Sequence, residues 1–225
     1  RFVFLQGLEY PIKSNKEIDA FFSDHSETEF ILAKNISSSN EIAECHKHRL
    51  YYSFDNIDKF YYKILHMMNI FAMRHGFCPK FKPDYVMDHN ENRLQIYNGC
   101  AQFGLTKAAV QYIVSYSKNN PKFNTFFKSM YAPDESYFHT IIYNSKYIEK
   151  TPYKKAICRP HMSDYENLTY FEYPVYVTLF TDIADWPRIQ NSGLLYFRKA
   201  SSESKLLLDY IDDIHKKMEK ANEHL

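Results

Sequence analysis

Residues 2–17 read FVFLQGLEYPIKSNKE, and this stretch decides the fold class. Its first apolar run, Phe2–Leu5, has the length and composition of a short buried strand. Gly and Pro residues end that strand, and Ser14 with Glu17 forms a capping box that begins a helix. The turn between strand and helix carries Glu9, and α/β proteins bind ligands at the carboxyl ends of their strands. The stretch therefore predicts an α/β protein with a carboxylate near its ligand site.

Strand and helix patterns alternate along the rest of the chain and favour the same class. Strands are predicted at 29–33, 93–97, 102–105, 165–172, 175–180 and 194–199, the second and third of them around Asn98-Gly99. Helices are predicted at 54–75, from Thr106, from Pro121 to near Met130, from Pro133, and near the C-terminus with Leu207, Ile211, Ile214 and Met218 on one face. The apolar stripe of the 54–75 helix is predicted to face the core. We expect a single domain over 1–225 in which helices flank a mixed sheet.

The composition excludes several classes of protein. The chain has 225 residues, is 45% apolar and 24% charged, and carries a formal net charge of +1. These values are typical of a globular protein without general affinity for nucleic acid. Only five glycines are present and neither GxGxxG nor GxxxxGK[ST] occurs, which disfavours Rossmann dehydrogenases and P-loop enzymes. No run of eighteen apolar residues exists, so we expect no transmembrane segment in this chain.

The cysteines and the start of the chain give two further expectations. The four cysteines, Cys45, Cys78, Cys100 and Cys158, form no CxxC pair and indicate the reduced thiols of an intracellular protein. The tract 45–48 is interpreted as a polar loop or a helix start rather than as a metal site. Because the chain opens inside a strand, we expect residues to precede position 1 and the strand at Phe2 to form an exposed edge.

The segment Pro133-Asp134-Glu135 allows two interpretations. Acidic residues in a first helical turn stabilise the helix dipole, by about 0.3–1 kcal/mol. Alternatively, Glu135 is a general base, because a helix N-terminus favours an ionised carboxylate that is ready to accept a proton. We expect its carboxylate at the floor of a cleft, pointing away from the core.

A second candidate segment is the strand Leu194–Lys199, which ends with Arg198 and Lys199. The two cations could neutralise a diphosphate leaving group, with Lys as a compact charge and Arg as a fork. The alternative is a solvated strand end.

Four sequence blocks together resemble the core-2/I-branching enzyme family, which contains β-1,6-N-acetylglucosaminyltransferases and peptide O-xylosyltransferases. Residues 6–12 look like its Ser-Gly-x-Asp-Tyr/Phe-Pro block, and residues 132–140 look like its Pro-Asp/Ala-Glu-x-x-x-x-Thr block. Residues 99–106 resemble its Gly-Ser-x-Trp-x-x-Leu-Thr strand, and residues 194–199 resemble its terminal Leu-Phe-Ala-Arg-Lys-Phe block. The resemblance covers the chain from residue 2 to about residue 210.

The resemblance implies a GT-A-like fold whose first nucleotide-binding strands lie upstream of residue 1. It implies an inverting transfer of a GlcNAc or xylose-like sugar from a UDP-sugar to an acceptor hydroxyl on a glycan or glycoconjugate, most like a β-1,6-N-acetylglucosaminyltransferase. Glu135 would match the base, and Lys199 with Arg198 would match the diphosphate contact. The donor and acceptor cleft would contain Glu9, Tyr10, Asp134, Gln102 and Glu172. The absence of an Asp-x-Asp pair, with those cations present, predicts catalysis without a divalent metal or another cofactor.

The chain departs from the family pattern at some positions and leaves other functions open. Glu9 replaces the usual Asp, Gln102 stands in place of a Trp that stacks on the acceptor, and Ala200 replaces the final aromatic residue. A non-catalytic carbohydrate-binding protein of the same fold is therefore an alternative. A glycoside hydrolase is a third, and it needs a second carboxyl about 5–10 Å from the first. The cysteine pattern matches bacterial members, which predicts a cytoplasmic protein and leaves open an association with the inner face of the membrane.

Overall fold

The computed structural model describes residues 1–37, 39, 41, 47–50, 59–77, 81–152, 168–172 and 177–222. Its strands are β1 (Phe2–Phe4), β2 (Glu9–Pro11), β3 (Ala33–Asn35), β4 (Val86–Met87), β5 (Arg93–Leu94), β6 (Tyr97–Gly99), β7 (Phe103–Leu105), β8 (Thr169–Tyr170) and β9 (Tyr196–Arg198). Its α-helices are α1 (Asn15–Asp24), α2 (Phe60–Arg74), α3 (Lys107–Asn119), α4 (Pro121–Lys128), α5 (Tyr137–Tyr143), α6 (Trp186–Asn191) and α7 (Lys205–Asn222). Strands and helices are thus mixed along the chain, which agrees with the predicted α/β class.

The chain folds as two compact units, and each is built around its own sheets. The first unit contains the described residues of 1–31, 100–106 and 159–225. Its largest sheet has the strand order β2-β9-β8, with β9 antiparallel to β2 and parallel to β8, so this sheet is mixed. Strand β1 pairs antiparallel with β7. A core of Phe180, Trp186, Phe197, Leu207 and Ile211 packs α6 and α7 against the mixed sheet.

The second unit contains the described residues of 32–99 and 107–158. Strand β3 pairs antiparallel with β6, and β4 pairs antiparallel with β5. Helix α5 is almost fully enclosed, since every residue from His139 to Tyr143 is buried. The sheets in both units are small, with two or three strands each in the described part of the chain. The sequence prediction of helices around a sheet is correct in class, but no single large sheet forms among these residues.

The beginning of the chain forms the predicted strand and capped helix, but Glu9, which was predicted in the turn between them, lies in the strand β2 instead. Helix α1 begins after Ser14, whose hydroxyl oxygen accepts from the Glu17 N–H while the Glu17 carboxylate accepts from the Ser14 N–H. Strand β1 forms, but the prediction that it is buried is wrong, because Phe2 is 53% exposed and Phe4 is 40% exposed. In the described residues β1 pairs along one side only, as expected for an edge strand.

Several predicted elements shift in position. The strand expected at 29–33 lies at Ala33–Asn35, preceded by a bridge between Phe30 and Gly104. Asn98 and Gly99 do not separate two strands but belong to β6. The C-terminal helix forms, with Leu207 and Ile211 fully buried. The predicted strands at 165–172 and 175–180 fall partly outside the described residues, and the described part forms β8 alone.

The predicted burial of the 54–75 helix is wrong. Residues 51–58 lie outside the described residues, and the helix described is α2. Its stripe residues Phe60, Tyr61, Ile64, Met68 and Phe71 are all exposed. Helical periodicity identifies which residues share a face, but it does not identify what covers that face.

Among the described residues, none of the helices combines the length and the apolar character needed to cross a membrane.

Candidate active site

Glu135 lies in a short turn rather than in the first turn of an α-helix. Pro133–Glu135 forms one 3₁₀ turn, and α5 begins separately at Tyr137. The break occurs because Ser136 between them has φ −133° and ψ −34°, outside the helical region. Ala132, before the turn, has φ 46°, a left-handed conformation that is strained for a residue with a side chain. The prediction that Pro133 opens one continuous helix is therefore wrong.

The Glu135 carboxylate is held by a lysine. Its Oε2 accepts a hydrogen bond of 2.9 Å from the Lys47 ammonium, and the same ammonium donates to Asn98 Oδ1 at 3.0 Å. The Asn98 amide donates in turn to the Glu135 carbonyl oxygen at 3.1 Å and to Ser136 Oγ at 3.0 Å. The Glu135 side chain stays 29% exposed. This closed network fixes the carboxylate while leaving it accessible to solvent.

Strand β6 positions the asparagine of this network. Asn98 is buried, and β3 pairs with β6 so that Ala33 lies opposite Gly99. A Cβ atom at Gly99 would collide with the Leu32 carbonyl oxygen and would lie 2.8 Å from His139 Cδ2. Glycine is therefore required here for close packing inside a strand, which explains why Asn98-Gly99 is not a turn.

Sequence reasoning missed Lys47 and Asn98. Lys47 belongs to the tract 45–48, which the sequence pattern marks only as a polar loop or a helix start. In the structure residues 47–49 are helical, and Cys45 and His46 lie outside the described residues. Neither residue carries a local signal for its role, because Glu135 is 88 positions from Lys47 and its carbonyl contact is 37 positions from Asn98. Asp134 adjoins Glu135 in the turn and is partly buried.

In the first unit, Glu9, Gln102 and Arg198 form a second group. The register of β2 and β9 places Glu9 opposite Arg198, and Arg198 Nε lies 3.5 Å from Glu9 Oε1. Gln102 Nε2 donates to the same oxygen at 2.8 Å. Burial raises the pKa of Glu9, and this effect outweighs the opposing effects of the Arg198 charge and the Gln102 hydrogen bond. The structure thus brings together two residues that the resemblance places in the donor and acceptor cleft, Glu9 and Gln102, and one that it places at the diphosphate, Arg198.

The side chains of Lys199 and its neighbour Arg198 differ in their contacts. Its main chain is fixed, since its N–H donates to the Thr178 carbonyl and its own carbonyl accepts from the Phe180 N–H. Its side chain makes no hydrogen bond or ion pair with any of the described residues. Arg198, by contrast, faces Glu9. Of the two predicted phosphate contacts, Lys199 is therefore the cation whose charge is available to a ligand.

Tyr10 and Glu172 take part in contacts that join elements of the first unit. The Tyr10 hydroxyl donates to Asp212 Oδ1 on α7 at 2.6 Å. Glu172 accepts from the Tyr170 hydroxyl at 2.6 Å and lies 3.3 Å from Arg188 Nη1. These two predicted cleft residues are thus not in the Glu9 group.

In the part of the chain that the structure describes, no three His, Cys, Asp or Glu side chains are grouped so that they could hold a metal ion. Cys100, which belongs to the first unit, forms no disulfide with the described residues, and its thiol donates a hydrogen bond to Gln102 Oε1.

A comparison with models of protein families identifies the family of this chain. The family model described as "Core-2/I-Branching enzyme" matches residues 1–167. The chain belongs to the core-2/I-branching enzyme family. This is a glycosyltransferase family, which implies a sugar donor and an acceptor. Glu9, Gln102 and Glu135 lie inside the matched residues of the core-2/I-branching model, whereas Arg198 and Lys199 lie beyond them. A search of curated proteins finds no significant match.

Proposed function

We propose that the protein is an inverting glycosyltransferase with a GT-A-like fold that transfers a sugar from a UDP-sugar to an acceptor hydroxyl. A GlcNAc or xylose-like donor, and a β-1,6-N-acetylglucosaminyltransferase reaction, follow from the sequence blocks. Family membership supports sugar transfer in general. The observation that carries the proposal is the Glu135 carboxylate, which is held by Lys47 yet partly exposed. We also propose that both units belong to one glycosyltransferase domain; a cytoplasmic location remains a prediction.

The proposed reaction is a single displacement. The acceptor oxygen attacks the anomeric carbon and gives its proton to the Glu135 carboxylate, while the bond from that carbon to the UDP oxygen breaks. A positioned base of this kind contributes about 10²–10⁴-fold to the rate. Lys47 binds Oε2, and among the described residues Oε1 accepts no hydrogen bond, so Oε1 is the oxygen proposed to take the proton.

The departing UDP carries negative charge that must be stabilised. Lys199 is proposed to supply the main cation, because its ammonium makes no ion pair with the described residues. Arg198 is proposed to contribute less, because Glu9 already faces it. Fixed cations can stabilise a developing charge without a metal ion, so the proposal needs no divalent metal.

Glu135→Gln tests the proposal directly, because it keeps the shape of the side chain and removes its basicity. We expect release of UDP from UDP-GlcNAc or UDP-xylose, measured with a panel of glycan acceptors, to fall by about 10²–10⁴-fold while the affinity for UDP stays near the wild-type value. Glu203→Gln, an exposed glutamate in the first unit, is the matched control. Wild-type turnover by the Glu135→Gln protein would exclude Glu135 as the base.

A non-catalytic carbohydrate-binding protein is the second candidate, and one observation favours it. Gln102, which stands where the family has a Trp that stacks on the acceptor, is 1% exposed and bonded to Glu9, so this position lacks the acceptor contact that the resemblance implies for sugar transfer. Glycan binding by the wild-type protein without UDP release from any tested donor would support this second function. Hydrolysis of a glycan without a nucleotide donor would support the glycoside hydrolase instead.

A further inference from the structure

Helix α2 turns its apolar face toward solvent. Phe60, Ile64, Met67, Met68 and Phe71 follow the spacing of one helix face, and Phe60, Met67 and Phe71 are 79%, 67% and 65% exposed. Asn69 and Ala72, on the other side of the helix, are buried. A helix that packs on a protein core normally shows the opposite arrangement, with its apolar side buried. We call these five side chains the α2 face.

The α2 face is part of a broad apolar hollow. The hollow has a volume of about 530 Å³, and Phe77 and Phe81 extend its lining beyond the helix. Both phenylalanines are more than half exposed, at 64% and 56%. Contiguous apolar surface of this kind is uncommon on a monomeric protein and marks a surface that binds something.

The charged side chains within residues 59–77 have one sign. Residues 59–77 contain Lys59, Lys63 and Arg74 but no Asp or Glu. Lys63 and Arg74 are exposed, and within the described residues neither side chain forms a salt bridge. They are about three helical turns apart, so they lie along the same border of the apolar face. Cations beside exposed phenylalanine and methionine are the arrangement of helices that lie on membrane surfaces.

We propose that the α2 face binds the surface of a lipid bilayer that contains anionic lipids, with α2 lying in the plane of the interface. The apolar side chains would enter the boundary between headgroups and acyl chains, while Lys63 and Arg74 would reach the lipid phosphates. At fifteen residues, α2 is shorter than the ~20 residues that a spanning helix needs. The charges favour lipid over a second copy of the chain, because pairing two such faces would bring like charges together. This proposal does not depend on the catalytic role of Glu135.

Vesicle flotation of the full 225-residue chain tests the proposal. We expect binding to vesicles of phosphatidylcholine mixed with phosphatidylglycerol, weaker binding to phosphatidylcholine alone, and a decrease as salt is raised. The double variant Met67→Ser/Phe71→Ser should lose at least tenfold in affinity, because two apolar side chains no longer leave water. Leu206→Ser on α7, where the leucine is 71% exposed, is the matched control and should bind as wild type does.

A second pair of variants tests the charges. Lys63→Gln and Arg74→Gln should each weaken binding to the anionic vesicles about fivefold, which is the contribution of one cation near such a surface. Lys216→Gln, an exposed lysine on α7, serves as the control and should have no effect. The exposure of all these side chains means that the variants should fold, which circular dichroism checks. The proposal is overturned if the control variants lose as much vesicle affinity as the α2 variants, or if the wild-type protein binds no vesicles. It is also overturned if the protein forms a dimer without lipid and Met67→Ser/Phe71→Ser abolishes that dimer.

Discussion

Single residues determine how the Glu135 carboxylate is presented. Lys47 contacts both the carboxylate and Asn98, so one ammonium connects a turn to a strand. We treat Lys47 as a positioning residue, because the reaction proposed above gives it no direct contact with the substrate. The carboxylate would rotate more freely without this lysine, and the reacting geometry would be populated less often.

Lys47→Met tests this role. A hydrogen bond to a charged group is worth about 1.5–3 kcal/mol, so we expect kcat to fall by roughly 10–150-fold, with a smaller change in the KM for the donor. Lys47→Arg should recover part of the loss, because it restores the charge with a different shape. Lys118→Met, an exposed lysine on α3, is the control. Steady-state kinetics showing an unchanged kcat for Lys47→Met would exclude the positioning role.

A second prediction for a single residue concerns the packing of Gly99. Gly99→Ala forces a Cβ against the Leu32 carbonyl oxygen, which is backbone and cannot move aside cheaply. We expect the free energy of unfolding to fall by about 3 kcal/mol or more, measured by urea denaturation. Gly7→Ala is the matched control, because no atom lies within 4 Å of a Cβ built there. Equal stability of the two variants would contradict the packing argument.

The sequence predicted some residues of the candidate site but not others. Glu135 was identified because its signal, the segment Pro133-Asp134-Glu135, is local in the sequence. Lys47 and Asn98 were missed because their contacts with Glu135 depend on how distant strands and helices pack. The pairing of Glu9 with Arg198 was missed for the same reason, since it depends on the register between β2 and β9.

At the scale of elements, the contact between Tyr10 and Asp212 joins strand β2 to helix α7. Burial and the hydrogen bond to Asp212 raise the pKa of Tyr10 to about 12. An unfolded chain releases this proton near pH 10. Between those two values the folded protein holds more protons than the unfolded chain, so stability falls as the pH rises through this window.

Tyr10→Phe should therefore lower the free energy of unfolding by an amount that depends on pH. We expect it to lower the free energy of unfolding by about 1–2 kcal/mol at pH 8, because the Asp212 carboxylate loses its donor. The difference from wild type should shrink between pH 10 and pH 12, where the wild-type tyrosine itself begins to ionise. Tyr210→Phe, partly exposed on the same helix, is the control. A difference that stays constant across this pH range would contradict the assignment.

The elements also show where sequence patterns succeed. Helix α1 was predicted with its cap and helix α7 with the face that carries Leu207 and Ile211, because capping and periodicity are local properties. The burial of β1 and α2 was predicted incorrectly, because an apolar pattern does not say whether another element covers it. The strand β6 was interpreted as a break, because Asn-Gly favours turns when no close packing demands a glycine.

For the whole molecule, the proposed chemistry requires cations rather than a metal ion. We expect UDP release by the protein to survive excess EDTA, and Lys199→Ala to reduce it by about 10²-fold, the usual effect of losing one fixed charge contact. Lys199→Arg should recover only part of that activity. Lys205→Ala, an exposed lysine on α7, is the control. Activity that disappears in EDTA and returns with manganese would contradict the metal-independent proposal.

The connectivity of the chain between its two units limits how one unit can be produced without the other. The polypeptide passes from one unit to the other after residues 31, 99, 106 and 158. The first unit consequently contains residues 1–31 and 159–225 together with a central segment of seven residues, Cys100–Thr106. No simple truncation can yield that unit alone, because any continuous piece that holds all of it spans residues 1–225 and includes the second unit. Gene-level dissection must therefore use a circularly permuted or internally deleted chain.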